Sequence, residues 1–358
     1  MKLSNTRLII GNVLFLLYNV LAFLFLQRII PFEKTFSLVL VSISIITAII
    51  CETKITRVVF SVFAGLLFAR LFNMLFLNEF SPVTWLYIIN TFVILLFYRQ
   101  INQRLVLSIW ILYIVFIVIR LWETGNPNEI FVNSRNYVSL YAIILVAPYY
   151  LKGTDNGKIS FWPALVTLII CILAIGRSGI IAAALLTIAV FGERFGKLRS
   201  LLVLGIFAFL IISLRINQSE YFVDLSRFSS LSSTLEDKGR SNISKEIIAL
   251  PWTNYLFGFR PEAIPTVLRL GHLHSSWWNL STAIGILPTA WVLLMFLSRA
   301  LIAFVRKHYV LSAIITCVVL RISTDIGFLF SPFDYILFSI IAASGSDLKI
   351  YKRSRYVY

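Results

Sequence analysis

The sequence predicts an all-α polytopic membrane protein of about twelve transmembrane helices, with one long, partly helical loop on the periplasmic side. Three observations predict it. Hydrophobic residues make up 59% of the 358 and charged residues only 13%. The mean hydropathy is +0.88, a composition no soluble domain of this size carries. Apolar runs of near-spanning length recur along the whole chain, and Lys and Arg gather in the segments between them.

The first apolar run starts at Leu8 and extends to about Leu26. It is long for a signal-peptide core and no small-residue cleavage site follows, so it reads as an uncleaved span. Further spans are expected near residues 36–51, 56–77, 83–98, 105–122, 136–151, 159–175, 178–192 and 199–213. After a long polar segment come 276–298, 309–329 and 332–346. The chain thus divides into an N-terminal bundle (1–213), an outer loop (214–275) and C-terminal spans with a basic tail (276–358).

Orientation follows from the cations. With the N-terminus in the cytoplasm, cytoplasmic segments hold 18 Lys and Arg and the short opposite loops hold five. Both termini are then cytoplasmic and 214–275 lies outside, periplasmic if the cell is Gram-negative. The formal charge of +16 is accounted for by topology, and no nucleic-acid partner is implied. Nine of the twelve cations on the outer side are Arg, whereas Arg and Lys are nearly balanced inside. Topology needs only positive charge; a planar fork of donors suits phosphate or carboxylate held in defined geometry. The bias points to an anionic ligand outside.

Within the outer segment, Ile243, Ile247 and Leu250 have helical spacing, Ser241 is placed to cap them and Pro251 to stop them. A second short helix is expected from Pro261, and both are expected on the membrane face. The segment ends in Gly271-His272-Leu273-His274-Ser275-Ser276-Trp277-Trp278, which holds two of the three histidines. Imidazole suits proton transfer near neutral pH, so His274 is the candidate base, with His272 as its partner or as a structural neighbour. A histidine that only hydrogen-bonds at the interface is the competing reading. Trp277 and Trp278 read either as an aromatic belt or as platforms for sugar rings. His308 lies in a basic cytoplasmic turn and reads as solvated.

Arg177, between Gly176 and Ser178-Gly179, lets a guanidinium and backbone amides approach one anion; a tight turn with an incidental charge competes. Arg240 after Gly239 opens the loop helix, and a helix N-terminus with Arg is a phosphate site. Arg260, in Phe257-Gly258-Phe259-Arg260, has the same two readings, anion ligand or solvated charge. Arg321 and Asp325 are four apart near the outer end of one span, a spacing that makes an ion pair. Arg70 has no partner within one helical turn among acidic residues, and Arg120 and Glu123 form a further pair. Cys51, Cys171 and Cys317 have no paired spacing, so neither disulfides nor a zinc site is expected. No Walker loop, dinucleotide fingerprint or His-Glu-x-x-His is present, and no cofactor or metal is expected.

In combination these features resemble the superfamily of O-antigen polymerases and O-antigen ligases. Asn133-Ser134-Arg135-Asn136-Tyr137 resembles the family's polar start of a middle span. Gly176-Arg177-Ser178-Gly179 resembles its Ser-Arg-x-Gly turn, with Gly where Ser is commoner. Gly239-Arg240 and Leu256-Phe257-Gly258-Phe259 resemble features of its long loop. His274-Ser275 followed by Gly285 resembles the ligase histidine signature, except that residue 288 is Pro where Gly, Thr or Tyr is expected. The similarity covers roughly 130–295.

The resemblance implies a metal-independent, inverting glycosyltransferase acting on glycans linked to undecaprenyl pyrophosphate. Arg177, Arg240 and Arg321, with Arg135 and Arg260, would hold the pyrophosphate; His274 would take the acceptor proton, supported by His272 and Asp325. A chain-length regulator and a flippase are the implied membrane partners. A polymerase is favoured by the departure at residue 288. A ligase that uses lipid A–core as acceptor is the alternative, and a flippase of the lipid-linked sugar is the alternative of another class.

Overall fold

The computed structural model describes residues 5–26, 33–51, 57–78, 81–127, 129–131, 136–156, 159–174, 177–195, 238–270, 273, 275–325 and 329–343. Among these the chain is all-helical. The first eight helices are α1 (Asn5–Leu26), α2 (Glu33–Ile50), α3 (Arg57–Leu77), α4 (Pro82–Phe97), α5 (Gln103–Thr124), α6 (Asn136–Asn156), α7 (Trp162–Leu173) and α8 (Arg177–Phe195). The polar segment contributes α9 (Lys238–Ile248), α10 (Trp252–Phe257) and α11 (Pro265–Leu270). The chain continues with α12 (Ser276–Ile284), α13 (Ile286–Val305), α14 (Tyr309–Thr324) and α15 (Asp334–Ala343).

Six helices (α1 to α5 and α13) are long and apolar enough to cross a membrane, and α7 and α14 are shorter apolar helices. Twelve spans were expected. The one at 199–213 lies outside the described residues. The one expected as a single helix at 276–298 is instead two, α12 and α13, parted at Gly285. The break has a local cause: Gly285 sits at φ 93°, where a helix cannot continue, and the chain of α10 comes so near that a Cβ there would strike the carbonyls of Leu256 and Tyr255.

The helices start and stop where local chemistry satisfies their ends. Asn102 caps α5 by accepting from the Arg104 N–H at 2.8 Å, and Gly125 ends it in the left-handed region. Pro82 and Pro163 stand in first turns, where a missing N–H costs nothing. α6 is buried around its whole circumference from Val138 to Leu151, so it is the axis of the bundle. α1 and α13 show the reverse pattern. Ile9, Val13 and Leu17 on α1, and Leu287, Trp291 and Leu294 on α13, form exposed apolar stripes at helical spacing. Arg120 pairs with Glu123 at 2.9 Å, as their spacing predicts.

The first and last described helices are tied together in the core. The Tyr18 hydroxyl donates to the Pro332 carbonyl at 2.5 Å and accepts from Asn90. The Tyr335 hydroxyl donates to Asn19 Oδ1 at 2.7 Å. α15 also packs against α4 and α6, so the last described helix closes a bundle begun by the first.

The segment from 238 to 270 has a small core of its own. Ile243 and Ile247 are fully buried with Phe259, Ile264, Val267 and Leu273, and Leu250, Trp278 and Ile286 pack against them. The expected spacing of Ile243, Ile247 and Leu250 thus faces a core. The helix starts at Lys238, earlier than a Ser241 cap would place it. From Pro261 the chain makes a single 3-10 turn to Ala263 before α11 begins.

Glu246 closes this unit. Its carboxylate accepts from the Thr266 N–H at 2.9 Å and from the Thr266 hydroxyl, so an acid on α9 caps α11. These bonds hold the Glu246 carboxyl below its ordinary value. A depressed folded pKa gives stability that is present above the unfolded value and lost as pH falls through the folded one. Acidification through the carboxylate range is therefore expected to speed amide exchange at Thr266 and Val267. Glu246→Gln should show faster exchange already at neutral pH and remove that pH dependence.

Candidate functional site

The centre of the candidate site is Arg321, a guanidinium with no exposed surface at the C-terminal end of α14. A charge so placed survives only if its donors are met. Nη2 donates to Asp325 Oδ2 at 2.8 Å, to the Asn136 carbonyl at 3.0 Å and to Ser139 Oγ at 3.2 Å. Nη1 donates to Thr324 Oγ1 at 3.1 Å and to Ser178 Oγ. Asn136 and Ser139 lie in the first turn of α6, and Ser178 in the first turn of α8. The N-termini of two helices therefore converge on one arginine. α8 approaches α6 this closely because residue 179 is Gly: a Cβ there would lie 2.5 Å from Ser139 Cβ and 2.6 Å from its Oγ.

Asp325 links this hub to the start of α12. Its backbone carbonyl accepts from the Ser276 N–H at 3.0 Å and from the Ser276 hydroxyl at 2.7 Å. Ser275 is the N-cap of α12, accepting from the Trp277 N–H at 3.3 Å. Trp277 is buried. Its Nε1 donates to Ser323 Oγ at 2.8 Å and its ring meets Phe296 edge-on, so it is a packing residue of α12, neither belt nor exposed platform. Farther along α12, Asn279 donates to the Leu329 carbonyl at 2.9 Å.

That carbonyl belongs to a strained turn. Leu329 and Phe330 both have positive φ, 65° and 85°, which non-glycine residues seldom adopt. The buried carboxylate of Asp334 holds them there. It accepts from the N–H groups of Leu329 at 2.7 Å, Phe330 at 2.5 Å and Ser331 at 3.0 Å. Leu329, Phe330 and Asp334 also line a cleft whose other walls, from α3, α4, α12 and α15, are apolar except for Thr91.

A second clamp lies where α3, α10 and α12 meet. Arg70 donates to Asn73, one turn along the same helix. Asn73 Nδ2 donates to the Phe257 carbonyl, and to the Thr282 carbonyl at 2.9 Å. Gly258, at φ 91°, lies so close that a Cβ would strike the Thr282 carbonyl and Asn73. Arg260 Nη2 donates to the Leu77 carbonyl at 2.9 Å, which caps the last turn of α3.

The expected site residues fall as follows. Arg321 and Asp325 pair, four apart, as their spacing predicts, and Arg260 reaches the end of α3. Arg177 is the first residue of α8, and Arg240 lies in the first turn of α9; both side chains lie outside the described residues. Arg135, His272 and His274 also lie outside them. In sequence, Arg135 immediately precedes Asn136, and His274 immediately precedes Ser275. His308, at the N-cap of α14, is pushed below the usual imidazole range by burial and then by Arg306, so it is more enclosed than a solvated turn residue.

Sequence reasoning missed Ser139, Asn73 and Asp334. Ser139 carried a signal: it lies one helical turn beyond Asn136, on the same face. Asn73 bears the same relation to Arg70. Asp334 carried none, because its partners are backbone groups of a turn whose dihedral angles the sequence does not announce. Among the described residues, no cluster of His, Cys, Asp and Glu suited to a metal ion is present. Comparison of the chain with protein families, with curated proteins and with solved structures gives no match.

Proposed function

We propose that the chain is a polymerase of O-antigen or a related surface polysaccharide in the bacterial inner membrane. It moves the growing glycan from undecaprenyl pyrophosphate onto the next lipid-linked repeat unit at the periplasmic face. One observation carries this reading. Three stretches that resemble the superfamily, at Asn136, at Gly176–Gly179 and at His274-Ser275, are far apart in sequence, and Asn136, Ser178 and Ser276 all bond to the Arg321–Asp325 pair.

In the proposed reaction, an acceptor hydroxyl attacks C1 of the donor sugar from the face opposite the pyrophosphate. The new C1–O bond forms as the old bond to phosphate breaks, with inversion. His274 takes the hydroxyl proton, and undecaprenyl pyrophosphate leaves with the bonding electrons. Charge builds on the leaving oxygen, and preorganised donors stabilise it without ATP. Arg177 at the α8 N-terminus, with Arg135 and Arg240, supplies these donors, and helix N-termini suit the diphosphate. Arg321 positions them by fixing the starts of α6 and α8, and Asp325 keeps α12, and with it the chain next to His274, in register. The twelve-span topology, with both termini cytoplasmic, belongs to the same proposal.

The test is the surface-polysaccharide ladder of a strain lacking the gene. A polymerase leaves one repeat unit on lipid A–core and no ladder. Polymer that accumulates on the carrier lipid would identify a ligase instead, and an unchanged ladder would sink the envelope-glycan reading. In the complemented strain, His274→Ala with normal expression should cut polymer formation about 10²- to 10⁴-fold. A flippase would tolerate it.

Gly179→Ala probes the hub without touching a charged group. The added methyl displaces Ser139 or pushes α8 from α6, and misplacement on this scale costs roughly 10- to 100-fold in rate. Wild-type rates from purified Gly179→Ala would show that the α6–α8 approach has no part in activity.

A further inference from the structure

We propose that residues 247–259, centred on α10, form an anchor inserted in the lipid interface and in contact with acyl chains and headgroups. The sequence alone expects the two flanking helices on the membrane face and gives neither a helix at 252–257 nor its depth. The inference rests on contacts, burial and hydrogen bonding, and is independent of the catalytic reading.

Depth is the first argument. The Phe257 ring stacks on Phe72 and meets Phe76 at a tilt, both of α3, with centroids 6.1 and 4.9 Å away, and the Phe257 carbonyl accepts from Asn73. α3 is one of the helices long and apolar enough to span a membrane. Asn73 precedes its last residue, Leu77, by four positions, roughly 6 Å at the rise of an α-helix. The backbone of α10 therefore reaches the level of the last turn of a spanning helix and packs against α13 as well.

Exposure is the second. Trp252 is 71% exposed and Ile248 64%, and Leu256 is also exposed, one turn along from Trp252. α10 packs against α13, whose Leu287, Trp291 and Leu294 are exposed apolar residues as well. From Ile247 to Phe259 there is no Asp, Glu, Lys or Arg; Lys245 and Glu246 precede the stretch and Arg260 follows it. An uncharged apolar patch with an exposed Trp, bounded by charged residues, is the pattern of a segment lying in the lipid interface.

The third is the accounting of polar groups, which lipid enforces and water does not. The Tyr255 hydroxyl donates to the Ile248 carbonyl at 2.5 Å. Asn254 Nδ2 donates to the Gly258 carbonyl at 2.9 Å, and the Gly258 N–H donates to the Asn254 carbonyl at 3.0 Å. The Pro251 carbonyl accepts from the Asn254 N–H at 2.9 Å, and Pro251 itself has no N–H to satisfy. Side chains thus meet carbonyls of this stretch that water would meet in a solvated loop.

Spin-label accessibility tests this directly. Trp252→Cys, Ile248→Cys and, as a control, Glu262→Cys are each labelled in the full-length protein. Native Cys51, Cys171 and Cys317 are buried. In vesicles of phosphatidylethanolamine and phosphatidylglycerol, labels at 252 and 248 should collide several-fold more with oxygen, relative to a water-soluble nickel chelate, than the label at 262. Accessibility at both positions equal to that at 262 overturns the proposal. So does shielding of both from oxygen and nickel alike, which would identify a protein contact. Quenching by brominated lipid that falls from wild type to Trp252→Phe gives the same answer without a label. None of these readings requires activity, so failure of the polymerase assignment leaves the test intact.

Discussion

Arg321→Lys is expected to cut polymer formation about 10²- to 10³-fold while the protein still accumulates in the membrane. Lysine keeps the charge but not the planar fork that joins Asp325, the Asn136 carbonyl, Ser139, Ser178 and Thr324. Arg321→Ala should be worse in kind, because it leaves Asp325 facing a vacated site; breaking a buried pair costs about 3–5 kcal/mol, enough to lower expression. The double substitution Arg321→Met with Asp325→Leu separates the two effects. Apolar replacement of both partners relieves most of the folding cost. Expression should therefore return while polymer does not. A double variant that restores the ladder would show that the pair only holds the bundle together.

Gly285→Ala is expected to have the largest effect on folding. The residue sits at φ 93°, and the new methyl would meet backbone of α10, the Leu256 carbonyl, rather than a side chain that can swing away. Backbone strain alone is worth about 1–3 kcal/mol, and the clash adds to it. Gly125→Ala is the matched control: φ is 62° but nothing stands within 4 Å, so only the left-handed penalty of about 1–2 kcal/mol applies. The comparison is read from thermal aggregation of the purified proteins. Equal midpoints for the two variants would mean that the contact between α10 and the α12–α13 break is dispensable.

The legible parts of this chain were those set by composition and short spacing. Apolar runs marked helices now seen at α1 to α8, and i,i+3 and i,i+4 spacing marked Arg120–Glu123 and Arg321–Asp325. Ile243 and Ile247 announced the core of the polar segment by the same rule. Contacts between distant backbones were not legible. Nothing near Gly285 says that Leu256 lies against it, so the run from 276 to 298 read as one unbroken helix. Asp334 gave no pattern because it binds main-chain N–H groups. Arg260 read as an anion ligand or a solvated charge; its bond to the carbonyl at the end of α3 is a contact that any helix terminus offers and no sequence motif encodes.

The bonds between Tyr18, Asn19, Pro332 and Tyr335 bear on how the protein is made. At about 5–20 residues per second, a ribosome needs about 15–60 s to travel from Asn19 to Pro332. Through that interval α1 is already in the translocation machinery with hydroxyl and amide groups whose final acceptors and donors do not yet exist. Nascent chains must shelter those groups with Asn90, with water or with an insertion chaperone. A ribosome that stalls, or a nonsense codon, upstream of residue 332 leaves an N-terminal bundle whose polar interior cannot be completed. The last described helix is thus the one that completes contacts opened by the first.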